Sequence, residues 1–180
     1  MKHNLIGLAG KKGSGKSYLA KAMWQRLHDV EVMSFASRIK WMARAMGVPH
    51  ESIYGSEKEK PLELFGGRSG RRIMQMIGTE FGRDMIDQNL WINLARRDYE
   101  EQAKTGSQYV IFDDVRFDNE AQMIKDCGGM VIEVVNTKQE SSDDTHRSES
   151  GVSKGLVDFR ILNNLTYDPV EELRKALVDG

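Results

Sequence analysis

One cysteine, Cys127, in 180 residues rules out an internal disulfide and a thiolate metal cluster. Long apolar runs are lacking too. The stretch after Met-Lys-His-Asn is only about six residues, against roughly 20 needed to span a bilayer, and it is also short of a signal-peptide core. Nor is there a cationic surplus: 26 Lys plus Arg face 27 Asp plus Glu. A broad nucleic-acid face needs excess cations to displace phosphate counterions, so no direct nucleic-acid partner is expected. A small cationic pocket remains open. With no repeat and no low-complexity tract, the chain reads as one cytosolic domain of ordinary composition, 39% hydrophobic and 29% charged, with no membrane partner.

What is present alternates between two periods. Short apolar runs at 4–9, 30–34, 109–112, 130–135 and 159–162 predict buried strands. Helical spacing follows the first Gly-rich turn, with Leu19, Ala20, Met23 and Leu27, and recurs over 37–46, 71–82, 88–103, 119–126 and 169–177. The polar stretch from His50 to Gly70, with Pro61 and Gly66-Gly67, predicts an exposed, mobile excursion, and 136–154 a loop or lid. Strands alternating with helices predict an α/β protein, a parallel sheet with helices on both faces.

Gly10-Lys-Lys-Gly-Ser-Gly-Lys16-Ser17 matches the phosphate-loop pattern G-x-x-x-x-G-K-[ST] in full. Gly10, Gly13 and Gly15 let backbone N–H groups turn inward, and Ser14 lies among them. The helix starting near Lys16 adds its positive end. Lys16 is expected on the β- and γ-phosphates of ATP, and the Ser17 hydroxyl on Mg²⁺. Such a site needs a carboxylate at the end of a neighbouring strand, and Asp113 and Asp114 both qualify. Asp114 is preferred, because Arg116 two residues on points to the same side of an extended chain.

At about 100° per residue, Arg72, Gln75, Thr79 and Arg83 share a helical sector, with Ile73, Ile77 and Phe81 on a core-facing side. Two guanidiniums, an amide and a hydroxyl suit a phosphate and a base edge. Alone, such a face is more often a solvated stripe. Gly78, which costs about 1 kcal/mol against Ala in a helix, points to close approach of something there. Arg38, after the second strand, is either an acceptor-phosphate contact or a plain surface Arg.

Further segments are specific enough to resemble a family. Arg71-Arg-Ile-Met-Gln-Met-Ile-Gly-Thr-Glu80 is similar to R-x-h-M-Q-x-h-G-T-[DE] of the deoxynucleoside monophosphate kinases of tailed bacteriophages, and Trp91 follows as in that family. Asp114-Val-Arg116-Phe-Asp-Asn-Glu120 resembles its D-x-R-x-x-x-E. Asp144-Thr-His146-Arg-Ser-Glu149 resembles its D-T-H-x-x-E lid segment, and Ile161-Leu-Asn163-Asn164 its closing loop. The resemblance implies a three-layer, NMP-kinase-like P-loop fold in a single domain over 1–180. A helical acceptor region would cover about 38–105 and a lid about 136–154.

It further implies ATP and Mg²⁺, with a dNMP as acceptor. Lys16, Asp114, Arg116 and Arg147 would be catalytic, and Asn163 would join the loop residues on the cofactor. Arg38, Arg72, Gln75, Thr79, Arg83, Trp91, Glu120, His146 and Glu149 would take the acceptor. A phage-encoded chain would work in the host cytoplasm, and a homodimer is left open. Alternatives are a dephospho-coenzyme A kinase, which shares a similar Asn-containing closing loop, and a nucleotide-binding module without turnover.

Overall fold

The computed structural model describes residues 4–11, 13–27, 29–136, 151–163, 168 and 170–171. It divides the chain into two compact units, 1–34 with 96–180, and 35–95, where the sequence suggests one domain with a helical region at about 38–105.

The first unit is built on five strands, β1 (Asn4–Ala9), β2 (Val30–Met33), β5 (Tyr109–Val115), β6 (Met130–Asn136) and β7 (Phe159–Asn163), in the order β2-β5-β1-β6-β7. All four pairings are parallel. The near-continuous apolar runs of β1, β5 and β6 form strands buried on both faces, while the edge strands β2 and β7 leave Val32, Phe159 and Leu162 exposed. On one face Ile6, Leu8, Ile111, Ile132, Val134 and Ile161 pack with Leu19, Ala20 and Met23 of α1 (Lys16–Arg26). On the other, the missing side chain of Gly7 lets Ile124 of α6 (Asp118–Asp126) and Val115 close in, each 3.1 Å from where a Cβ would stand. This is the expected three-layer α/β arrangement.

One irregularity matters for the site. Gly7 pairs with Phe112 but Ala9 with Val115, so β5 takes three steps where β1 takes two. Strict alternation would put Val115 beside Ile111 on the α1 face. The extra residue instead turns it against Gly7, on the α6 face. A bulge therefore sits at the acid pair.

The second unit contains α2 (Ser37–Ala45), α3 (His50–Ile53), a hairpin of β3 (Pro61–Leu62) and β4 (Arg68–Ser69), α4 (Gly70–Gln75), and the start of α5 (Leu90–Gln102). Its core is Ala43, Val48, Ile53, Ile73, Ile77 and Trp91, joined by Leu62 and Phe65. The stretch from 50 to 70 is largely exposed, as expected, but it folds into α3 and the hairpin and sends Ile53, Leu62 and Phe65 to the core. Val48, Ile53, Leu62 and Phe65 are too unevenly spaced to show a period, yet each reaches the same core.

Helix α4 leads into a π-helical segment, Met76–Ile86, which replaces the expected α-helix to Gly82. Bonding from i to i+5 puts more residues in each turn, and the 100° face does not survive it. Phe81, expected in the core, is 41% exposed, whereas Thr79 and Arg83 are buried. Trp91 clamps the segment: its indole N–H donates to the Gly78 carbonyl at 2.7 Å. A Cβ on Gly82 would stand 2.6 Å from the same indole nitrogen.

Two predictions follow from this packing. Trp91→Phe removes a buried hydrogen bond to the Gly78 carbonyl, which costs about 0.5–1.5 kcal/mol. Urea unfolding should report a loss of that size, and a change below about 0.5 kcal/mol, the ordinary surface range, would contradict the clamp.

The second concerns Ser153, whose hydroxyl and backbone N–H donate to the two oxygens of Asp118 at 2.6 and 2.7 Å. The side-chain bond first, then the backbone bond, hold the Asp118 carboxyl below its ordinary value of 3.8. A depressed folded value adds stability that is present above about pH 4 and lost as pH falls through the folded value. Asp118→Ala should therefore lower the melting temperature at pH 7, with the gap closing below pH 4. An equal gap at both pH values would remove the carboxylate from the account.

Candidate active site

The loop after β1 reaches the first turn of α1 by backbone conformations that need glycine. Gly10 has φ 139 and Gly15 φ 103. A Cβ on Gly10 would strike the Val134 carbonyl of β6, and one on Gly15 the Asn163 amide of β7. Helix α1 carries no acidic residue in its first turn, so its positive end is left for an anion.

Lys16, 8% exposed, donates to the carbonyls of Gly10 at 2.6 Å and Lys11 at 2.9 Å, with Ser14 Oγ at 3.5 Å. A buried ammonium needs such partners. They also hold the side chain back over the loop, beside the anion cradle it helps to form.

The acid pair divides. Asp113 continues the Ile111 side of β5, the α1 face, and its Oδ2 accepts from Ser17 Oγ at 3.1 Å. Asp114 accepts from Ser34 Oγ at 2.7 Å, just past the end of β2. Asp114 is the acid expected on the metal, and it is Asp113 that meets Ser17. In an alternating strand only one of two adjacent acids can face α1, and the bulge follows Phe112. Both acids were visible in the sequence; the face each takes was not.

Asn163, 7% exposed, donates to the Ser14 carbonyl at 2.9 Å, so its amide nitrogen is spent on the loop itself. Asn136, which sequence reasoning missed, donates to the Gly13 carbonyl at 3.4 Å. Its one signal was position, an amide ending an apolar strand.

Glu120 is 3% exposed and accepts from the backbone N–H of Arg116 at 2.8 Å and Phe117 at 3.1 Å. It caps the start of α6. Arg116 is half-buried at the turn it closes.

Residues of the second unit take several roles. Arg72 is half-exposed and pairs with Glu80 at 2.8 Å. Gln75 is half-buried. Buried Arg83 donates to the Gln88 carbonyl at 3.2 Å, and Thr79 is buried beside the clamp. Arg38 lies over the Trp41 ring, 5.7 Å from its centre. Trp91 is a core residue whose indole N–H is occupied by the Gly78 carbonyl. Gly78 is explained by Ile39, whose Cδ1 would lie 2.9 Å from a Cβ there. His146, Arg147 and Glu149 lie outside the described residues.

A glycine cradle, a buried lysine at a helix start, and a hydroxyl against a strand-end carboxylate, all on a parallel sheet, define a P-loop phosphotransferase. Likeness to known proteins narrows the class. The deoxynucleotide monophosphate kinase family model matches residues 66–176. A protein of Acanthamoeba polyphaga mimivirus, provisionally named a deoxynucleotide monophosphate kinase, is 35% identical over 176 residues, covering 91% of this chain and 90% of its own. The deoxynucleotide monophosphate kinase of Enterobacteria phage T4 is 37% identical over 96 residues, 53% of this chain and 39% of its own length. The fold is shared with a solved structure from Chloroflexus aurantiacus, provisionally named a kinase, with a TM-score of 0.55, 14% identity and coverage of 99% and 98% of the two chains. The chain belongs to the deoxynucleotide monophosphate kinase family, and it is an enzyme of the kinase class.

Proposed function

We propose that this kinase transfers the γ-phosphoryl group of ATP to a deoxynucleoside monophosphate, giving ADP and a deoxynucleoside diphosphate. The observation that carries the donor half is the Ser17–Asp113 contact beneath the glycine cradle. A hydroxyl with one carboxylate suits Mg²⁺, which keeps most of its waters and takes its other ligands from phosphates. Among the described residues no group of three or more His, Cys, Asp or Glu could form a protein cage instead. When bound, Mg²⁺ would neutralise charge between the β- and γ-phosphates.

In this reading Lys16, held on the Gly10 and Lys11 carbonyls, turns its remaining donor to the phosphates, and the N–H groups at the start of α1 hold the β-phosphate. Asp113 orients Ser17, and the two would hold the cation when it is bound. The acceptor phosphate already carries negative charge, so no strong general base is needed, and alignment with charge neutralisation supplies the catalysis. Arg72 takes the acceptor phosphate by exchanging Glu80 for a dianion. Gln75 belongs to that recognition, with Arg38 assisting. Arg116 and Arg147 neutralise charge on the transferring group, and His146 and Glu149 act with Arg147. The expected location is the host cytoplasm; no helix among the described residues is long and apolar enough to cross a membrane.

The test is ADP release with each dNMP, each NMP and dephospho-coenzyme A. Turnover with at least one dNMP is expected. Turnover with dephospho-coenzyme A alone, or ATP binding without acceptor-dependent ADP, overturns the reading. In the same assay Arg72→Met should lower acceptor kcat/KM roughly 10- to 150-fold, the loss of one or two charge-assisted hydrogen bonds. The KM for ATP should hold. A change confined to ATP would place Arg72 with the donor.

The acids make a second test. Asp113→Asn should raise the Mg²⁺ concentration for half-maximal rate and lower kcat by roughly 10²-fold, comparable to losing one preorganised electrostatic group. Asp114→Asn should leave the Mg²⁺ requirement near the parent's. The reverse order would return the metal role to Asp114.

A further inference from the structure

We infer that Asn136 and Asn163 are positioning residues for the phosphate loop, a paired amide clamp that aims its N–H groups by holding its carbonyls. The inference rests on reading this loop as the ATP cradle. Asn136 and Asn163 are register partners at the ends of β6 and β7. Their amide nitrogens donate to successive loop carbonyls, Asn136 to Gly13 at 3.4 Å and Asn163 to Ser14 at 2.9 Å.

In a planar trans peptide, C=O and the following N–H point in opposite directions. Fixing the Ser14 carbonyl on Asn163 therefore turns the Gly15 N–H to the opposite side, toward the start of α1. Fixing the Gly13 carbonyl orients the Ser14 N–H, which closes the loop on the Lys11 carbonyl at 3.1 Å. Asn163 thus aims a phosphate donor, while Asn136 steadies the turn before it. Gly15 has no side chain because the Asn163 amide stands where its Cβ would be. The two bonds are unequal, since 3.4 Å lies beyond the usual range and 2.9 Å at its centre.

Asparagine is the residue the geometry requires. An aspartate has the same shape but only accepts, so it would set a carboxylate against a carbonyl and near the bound phosphates. A purely architectural asparagine would affect melting and leave nucleotide affinity alone once the protein is folded. A clamp that aims donors affects affinity for ATP and leaves the acceptor constants alone.

The experiment measures the Kd of a fluorescent ATP analogue, the KM of the best dNMP and the melting temperature, in the parent, Asn163→Asp and Asn136→Asp. Binding by the parent and its loss in Lys16→Ala verify the cradle independently of either asparagine. Asn163→Asp should raise Kd at least tenfold, the factor equal to about 1.4 kcal/mol, because a hydrogen bond becomes a repulsion. Asn136→Asp, at an exposed and longer bond, should raise it about threefold. Acceptor KM should stay within twofold of the parent in both. Should Asn163→Asp fail to fold, Asn136→Asp carries the test. If the parent binds ATP and the folded variants bind it equally well, the clamp is overturned while the cradle stands. A parent that binds no ATP overturns both.

Discussion

A loop that turns its amides toward an anion must place its carbonyls elsewhere, and the first unit is arranged around that requirement. Burying a backbone carbonyl unpaired costs free energy comparable to a lost hydrogen bond. Here Lys16 covers the carbonyls of Gly10 and Lys11, and strand-end asparagines cover those of Gly13 and Ser14. Strand order makes this feasible. The loop leaves β1, which lies between β5 and β6, with β7 beyond β6. Acids therefore arrive from one side of the loop and amides from the other. Any strand order that moved β6 away from β1 would take Val134 and Asn136 from the loop.

The same sheet settles which acid meets Ser17. Asp113 follows Ile111 to the α1 face, and the extra residue in β5 falls at the acid pair, where regular alternation ends. One acid goes to the helix that carries Ser17, the other to Ser34 beyond β2. A bulge in a parallel pair is uncommon, and bulges gather near active sites, where they re-aim side chains. Its effect is legible in Val115, which crosses to the face of Gly7 and Ile124. Without the bulge Val115 would stand with Ile111, over α1.

Much of this was readable before any fold. The five apolar runs became the five strands, and the loop pattern implied the glycine conformations and the helix after it. The unread parts share a cause: sequence periodicity assumes a regular backbone. It put Phe81 in the core because it assumed 3.6 residues per turn, and it weighed Asp114 by its regular spacing to Arg116 rather than by the face of β5 that meets α1. It treated 50–70 as an excursion because Ile53, Leu62 and Phe65 obey no period while reaching one core. Asn136 went unnoticed because a lone amide ending a strand is common. Its meaning comes from its register with Asn163, a long-range fact.

On the proposed reading, the family motif around Arg72 combines recognition and architecture in one segment. Glu80 pairs with Arg72 across eight residues, whereas α-helical neighbours lie three or four apart. The i→i+5 turns between them bring the pair together. Wide turns are seldom sustained, and Gly78 and Gly82 lower the α-helical preference that would otherwise restore the ordinary pitch. Trp91 then holds both glycines, one through its N–H and the other through its ring. Sequence similarity in this motif therefore carries two kinds of constraint. Arg72 and Glu80 are half-exposed and open to ligand chemistry, whereas Gly78, Gly82 and Trp91 preserve the helix shape that brings those two charges together.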